Sequence, residues 1–148
     1  MILLDSSAWI EYYRRGGSKE VRDAVFAAVR DNRAATNGVI LVEVVAYATR
    51  DADAANVRSD LSGCHWLELT APVFELAVAM GRTLRVRGIT VPATDLIIAA
   101  SVRFADAELL HFDAHYELIA QHQPLATHSP LKPPSAPVSD NRPENGTE

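Results

Sequence analysis

Short apolar runs of strand length alternate along this chain with longer stretches of helical periodicity. That alternation restricts the architecture more than any other feature. Residues 1–4 open an apolar run, and DSSAWIEYYRRGG follows, with Trp9, Ile10 and Tyr13 at helical spacing and Gly16-Gly17 as the stop. Ser18 starts a second helix with Val21, Val25, Phe26 and Val29 on one face. RAATNG reads as a strand-like joint before a third helix, VILVEVVAYATR, and residues 51–61 as a more polar fourth. HWLELT alternates as a strand does. Residues 71–87 read as a long helix with Phe74, Ala77, Val78 and Leu84 inward, closed by Gly88. Residues 95–104 form another helix, AELLHF a strand and AHYELIAQH a last helix. Strands separated by helices predict βαβ units: an α/β sandwich with a short, mainly parallel sheet of four or five strands covered on both faces.

The 148 residues suit one compact domain. The character changes near Ser129, where SPLKPPSAPVSDNRPENGTE holds five of the eight prolines and few bulky apolar residues. Such a stretch buries too little surface to offset its ordering entropy, so the expected division is a domain over 1–128 and a disordered tail over 129–148. The single cysteine, Cys64, excludes an internal disulfide. No apolar run approaches the roughly 18 residues of a membrane span, and the start lacks signal-peptide features, so a cytoplasmic protein is expected. A formal charge of −5 argues against a protein that coats nucleic acid generically. It does not exclude an enzyme acting on nucleic acid, because acids bunched in a metal site are offset by the bound cation.

In a parallel α/β sheet, ligands bind at the carboxyl ends of the strands. Asp5 stands there after ILL, and Asp113 just past ELLHF, so the two meet if their strands are neighbours. Asp95 begins DLIIAASV, after VPAT. Taken singly, each aspartate reads as a helix N-cap. Glu43 breaks that pattern, because its helical neighbours Val39, Ile40, Ala46 and Tyr47 are largely apolar and no lysine or arginine lies within a turn. A buried carboxylate is costly unless it is paired, protonated or metal-bound. Four carboxylates together repel and raise one another's pKa values, and a divalent cation relieves the conflict. All-oxygen ligands favour Mg²⁺ or Mn²⁺. Such a site suits phosphodiester hydrolysis by activated water. The hydroxyls of Ser6, Ser7 and Thr94 could position water or phosphate, or simply cap helices.

MILLDSSAWIEYY, VILVEVVAYA, VPATDLIIAASV and AELLHFDAHYELIA together resemble PIN-domain ribonucleases, specifically the small VapC toxins of type II toxin–antitoxin modules. The similarity covers roughly residues 1–125. It implies a three-layer α/β/α domain, a homodimer, and an acidic pocket that binds Mg²⁺ or Mn²⁺ and cuts RNA. It also implies a cognate antitoxin, which would block the pocket with a short segment that folds on binding and places an arginine among the acids. The family's acids fall on Asp5, Glu43, Asp95 and Asp113, and the polar position after the first acid falls on Ser7. Many relatives carry T-x-D-x-D-F at the fourth acid. Here HFDAHY puts His111 for the threonine and His115 for the further acid, so His115 could ligand a metal or touch phosphate.

The remaining features have plainer readings. The five histidines match no zinc spacing, and Cys64 lies beside no evident base. Arg82, Arg85 and Arg87, and the cluster of Arg14, Arg15, Lys19 and Arg22, suit solvent better than RNA. Trp9, Tyr12 and Tyr13 suit the core or a dimer interface. Two other functions are open to the sequence. A Mg²⁺-dependent phosphotransfer or receiver domain collects aspartates on a similar sheet, but LLDSSAW lacks a D-x-D pair and no lysine follows a late strand. A non-catalytic PIN-like binding module would be expected to have lost some of the four acids.

Overall fold

The structure, a computed structural model, describes residues 1–130. The expected boundary near Ser129 and the tail lie outside the described residues, save Ser129 and Pro130. Five strands, β1 (Ile2–Leu4), β2 (Ala34–Thr36), β3 (His65–Trp66), β4 (Glu108–Leu110) and β5 (Thr127–His128), form one all-parallel sheet in the order β3-β2-β1-β4-β5. Seven helices make the connections: α1 (Ser6–Tyr13), α2 (Lys19–Arg30), α3 (Gly38–Val45), α4 (Asp51–Ser62), α5 (Ala71–Val86), α6 (Ala93–Phe104) and α7 (Ala114–His122). Parallel neighbours need crossovers, which in such sheets are right-handed as a rule. The direction of travel across the sheet reverses between β1 and β4, so α1–α4 pack together on one face and α5–α7 on the other. The result is the three-layer α/β/α sandwich that the sequence predicts.

β1 carries the core. Leu3 and Leu4 are consecutive and both fully buried, as in a strand covered on both faces. Its register sets Leu3 beside Leu109 and Leu4 beside Leu110, and the Asp5 N–H continues the ladder to the Leu110 carbonyl at 3.0 Å. Residue 5 therefore leaves the sheet level with the end of β4.

Several elements depart from the sequence reading. On α2 the buried stripe is Val21, Val25 and Ala28, leaving Phe26 and Val29 exposed. On α5 it is Val73, Ala77, Met80 and Leu84, which turns Phe74 and Val78 outward. Val21, Val25, Ala77 and Leu84 face inward as expected, whereas Phe26, Val29, Phe74 and Val78 each follow a buried residue by one position, about 100° of helix. α3 stops at Val45 because the chain turns over Tyr47–Arg50 to bring α4 back against it. HWLELT pairs only at His65 and Trp66, an edge strand cut short before α5. β5 follows Pro124 and has no strand pattern of its own; its pairing to Leu109 and Leu110 defines it. Gly16 does turn the chain after α1 with φ +73°, and a Cβ on Gly17 would lie 2.1 Å from the Glu11 carbonyl oxygen.

Candidate active site

The reversal of strand order between β1 and β4 opens a crevice at the carboxyl ends of the strands, the usual ligand position in an open α/β sheet. α1 and α7 start there directly from the two strands, and the first turn of α6 joins them. Their unsatisfied N–H groups and dipoles favour carboxylates.

Asp5 is the N-cap of α1 and is 2% exposed. One oxygen accepts from the Ser7 N–H at 3.0 Å and the Ser7 hydroxyl at 2.6 Å. The other accepts from the Tyr116 hydroxyl at 2.7 Å. The same hydroxyl reaches Asp95 Oδ1 at 3.4 Å, so one buried phenol spans two carboxylates. The Ser7 hydroxyl also accepts the Phe112 N–H at 2.9 Å, tying the start of α1 to the β4–α7 loop.

Asp113 is the N-cap of α7, accepting the His115 N–H at 2.9 Å. Asp95 is not a cap, contrary to the sequence reading. Pro92 holds that position, and Asp95 lies inside the first turn of α6 with its carboxylate directed into the crevice. Its pKa is raised, by burial first and then by Asp113 and Asp5, with His115 opposing. Asp95, Asp113 and His115 each place one ligand atom within 4.8 Å of the others.

Glu43 projects from α3 toward the same place. Asn37 caps that helix, accepting from the Val39 and Ile40 N–H groups at 3.1 Å each. The Asn37 Nδ2 donates to Ser101 Oγ on α6 at 3.1 Å, fixing the helix that carries Glu43 against the one that carries Asp95. Burial pushes the Glu43 carboxyl up to about 7, assisted by the charges of Asp5, Asp95 and Asp113 and opposed by a hydrogen bond from Ser6. Thr94 is exposed on the first turn of α6.

Five buried side-chain polar atoms among the described residues have no hydrogen-bond partner, and three of them, Glu43 Oε1, Asp95 Oδ2 and His115 Nδ1, belong to this site. Native interiors leave few such atoms. Among the described residues no lysine or arginine pairs with any of the four acids. Converging, mutually repelling oxygen donors with unmet valence and no organic counter-charge fit a divalent cation.

His111, at the family's threonine position, is 1% exposed and neutral, its pKa lowered chiefly by burial. Its Nδ1 accepts the Asp113 N–H at 3.1 Å and its Nε2 faces Glu117 at 3.2 Å. The sequence reading missed Asn37 and Tyr116. For Tyr116 the available signal is its place one turn after Asp113 on an otherwise apolar face. Beside Glu43, a groove of about 580 Å³ runs between α1, α3 and α4, with Ile10, Tyr13, Val44, Tyr47 and Val57 in its walls.

Residues 2–121 match the PIN domain family. Ribonuclease VapC11 of Mycobacterium tuberculosis and a VapC ribonuclease of Mycobacterium bovis are each 32% identical to this chain over 126 residues, covering 82% of it and 92% of the relative. Among solved structures, VapBC2 from Rickettsia felis, bound to a DNA fragment from its promoter, superposes with a TM-score of 0.72 at 16% identity. That match covers 87% of this chain and 98% of the other, and at that identity it speaks for the fold alone.

Proposed function

This chain belongs to the PIN-domain family, among its VapC ribonucleases, and on that premise we propose that Asp5, Glu43, Asp95 and Asp113 hold Mg²⁺ or Mn²⁺ for RNA cleavage. The protein is an endoribonuclease, the toxin of a VapBC-type toxin–antitoxin pair, and we infer that it acts in the cytoplasm. No helix among the described residues is long and apolar enough to cross a membrane. The observation that carries the reading is the set of unpartnered, mutually repelling donors at the switch point of the sheet.

Divalent cations, when bound, offset the phosphate charge and make a water acidic enough to attack near neutral pH. Asp5, Glu43, Asp95 and Asp113 would hold the cation, and Glu43 Oε1 is placed to take the proton of the attacking water. Glu43 Oε1 has no hydrogen-bond partner, which leaves it free to accept that proton. The water oxygen bonds to phosphorus, the P–O bond to the departing ribose oxygen breaks, and that oxygen takes a proton from solvent. Ser7 and Tyr116 act through Asp5, holding its two oxygens in fixed directions. Ser6 steadies Glu43, and Thr94, at the open rim, is placed to meet water or phosphate. The groove beside Glu43 is the seat for a segment of the antitoxin. Exposed Phe74 and Val78, one turn apart on α5, offer apolar surface to a second copy.

Purified protein, freed of antitoxin, is to be incubated with total RNA in Mg²⁺, Mn²⁺ or EDTA beside an Asp5→Asn/Asp95→Asn double mutant. Discrete metal-dependent cuts, absent from the mutant, are expected. Intact RNA under every metal would leave a non-catalytic binding module instead.

A further inference from the structure

His115 departs from the all-oxygen pattern expected of this pocket. Its Nδ1 lies 2.9 Å from Asp95 Oδ2 and 3.2 Å from Asp113 Oδ1, distances at which an imidazole ordinarily donates a hydrogen bond. Yet neither Nδ1 nor Asp95 Oδ2 has a hydrogen-bond partner of good geometry. Asp95 is 7% exposed, so its unmet oxygen is not satisfied by bulk water.

We propose that His115 Nδ1 is itself a ligand of the divalent cation, and that it moves the site's preference from Mg²⁺ toward Mn²⁺ and the later first-row ions. The inference rests on reading this pocket as a cation site and concerns which cation it takes. Adjacent ligands of an octahedral ion at about 2.1 Å are about 3 Å apart. The two contacts of Nδ1 match that edge, whereas an ion-pairing imidazolium would turn its N–H onto one oxygen. The ring is held for the purpose. His115 is the second residue of α7, and its own N–H is bound to Asp113 Oδ1, so ring and carboxylate move as a unit. Imidazole nitrogen suits iron, nickel, copper and zinc best, manganese less and Mg²⁺ least, since Mg²⁺ demands oxygen. The ring is also 45% exposed, leaving one side of the cluster open to phosphate and water.

The test uses the full chain stripped of metal and loaded with Mn²⁺. Pulsed electron paramagnetic resonance is expected to show ¹⁴N coupling from a coordinated imidazole, and His115→Asp to lose that coupling while still binding Mn²⁺. In competition, displacing Mn²⁺ from the wild type should need about 10-fold more Mg²⁺ than from His115→Asp. If His115→Asp does not fold, His115→Gln serves the same comparison. Bound Mn²⁺ without nitrogen coupling, or coupling that survives in the variant, overturns the assignment and leaves the cation site standing. Absence of any Mn²⁺ binding overturns the cation reading as well.

Discussion

The Tyr116 hydroxyl donates to Asp5 Oδ1 at 2.7 Å across 111 residues of chain, while its ring packs against His111 with centroids 5.1 Å apart. Tyr116→Phe keeps the ring and removes a donor from a carboxylate that is 2% exposed. We expect unfolding free energy to fall by about 1–3 kcal/mol in a urea titration. Mn²⁺ affinity should fall about 10-fold, since the lost partner orients a carboxylate of the proposed cation site.

The raised pKa of Glu43 gives metal-free stability a definite pH dependence. Between its ordinary value of 4.5 and about 7, the folded state holds a proton that the unfolded chain has released. Stability from this group is therefore lost as pH rises through that window. Glu43→Gln should flatten the decline, read as the difference between urea midpoints of variant and wild type at pH 5 and pH 8. Saturating divalent cation should flatten it in the wild type too.

Asp95→Asn separates stability from function. The carboxylate is buried among like charges and caps nothing, so its neutral isostere should raise metal-free stability by about 1 kcal/mol. The same variant should fail to bind Mn²⁺ and cut RNA only at background level. Calorimetric titration beside thermal melts checks both halves.

His111 acts on the acid side. Its lowered pKa means that the unfolded chain takes up a proton near pH 6.5 that the folded chain resists, so stability is lost as pH falls below that value. His111→Gln should remove this acid limb, measured by urea midpoints from pH 7.5 down to 5.5, and leave the Glu43 decline in place.

Asn37→Ala removes a helix cap and a buried tie between α3 and α6. The expected cost is about 1–3 kcal/mol. Asn37→Ser, which can still cap, should recover part of the stability but not the link to Ser101. Cleavage should fall in both, because Glu43 and Asp95 are no longer held in register.

Asp5, Asp113 and Glu43 are legible in the sequence for local reasons: two follow apolar strands and one sits among apolar helical neighbours. Asp95 is legible as a member of the set but not in its local role, since Pro92 is the cap and frees the carboxylate. That β1 lies beside β4 is a matter of strand order, which no local pattern encodes; only the family resemblance bears on it. Tyr116 reads as core because its ring is core, and only the fold shows its hydroxyl ending on Asp5. The faces of α2 and α5 are partly misread for a common reason. Large side chains dominate a periodicity argument and draw in Phe26, Val29, Phe74 and Val78, whereas Ala28, Val73 and Met80 complete the sides that meet the interior. β5 has no signature because its existence depends on an edge that β4 provides.

The pairing of β1 with β4 also fixes when the protein becomes dangerous. Asp5 is among the first residues a ribosome joins, but the strand it leans against and the tyrosine that grips it come more than a hundred residues later. A nascent chain interrupted before β4 emerges has a carboxylate and nowhere to hold it. The pocket is therefore complete only once almost the whole domain has been made.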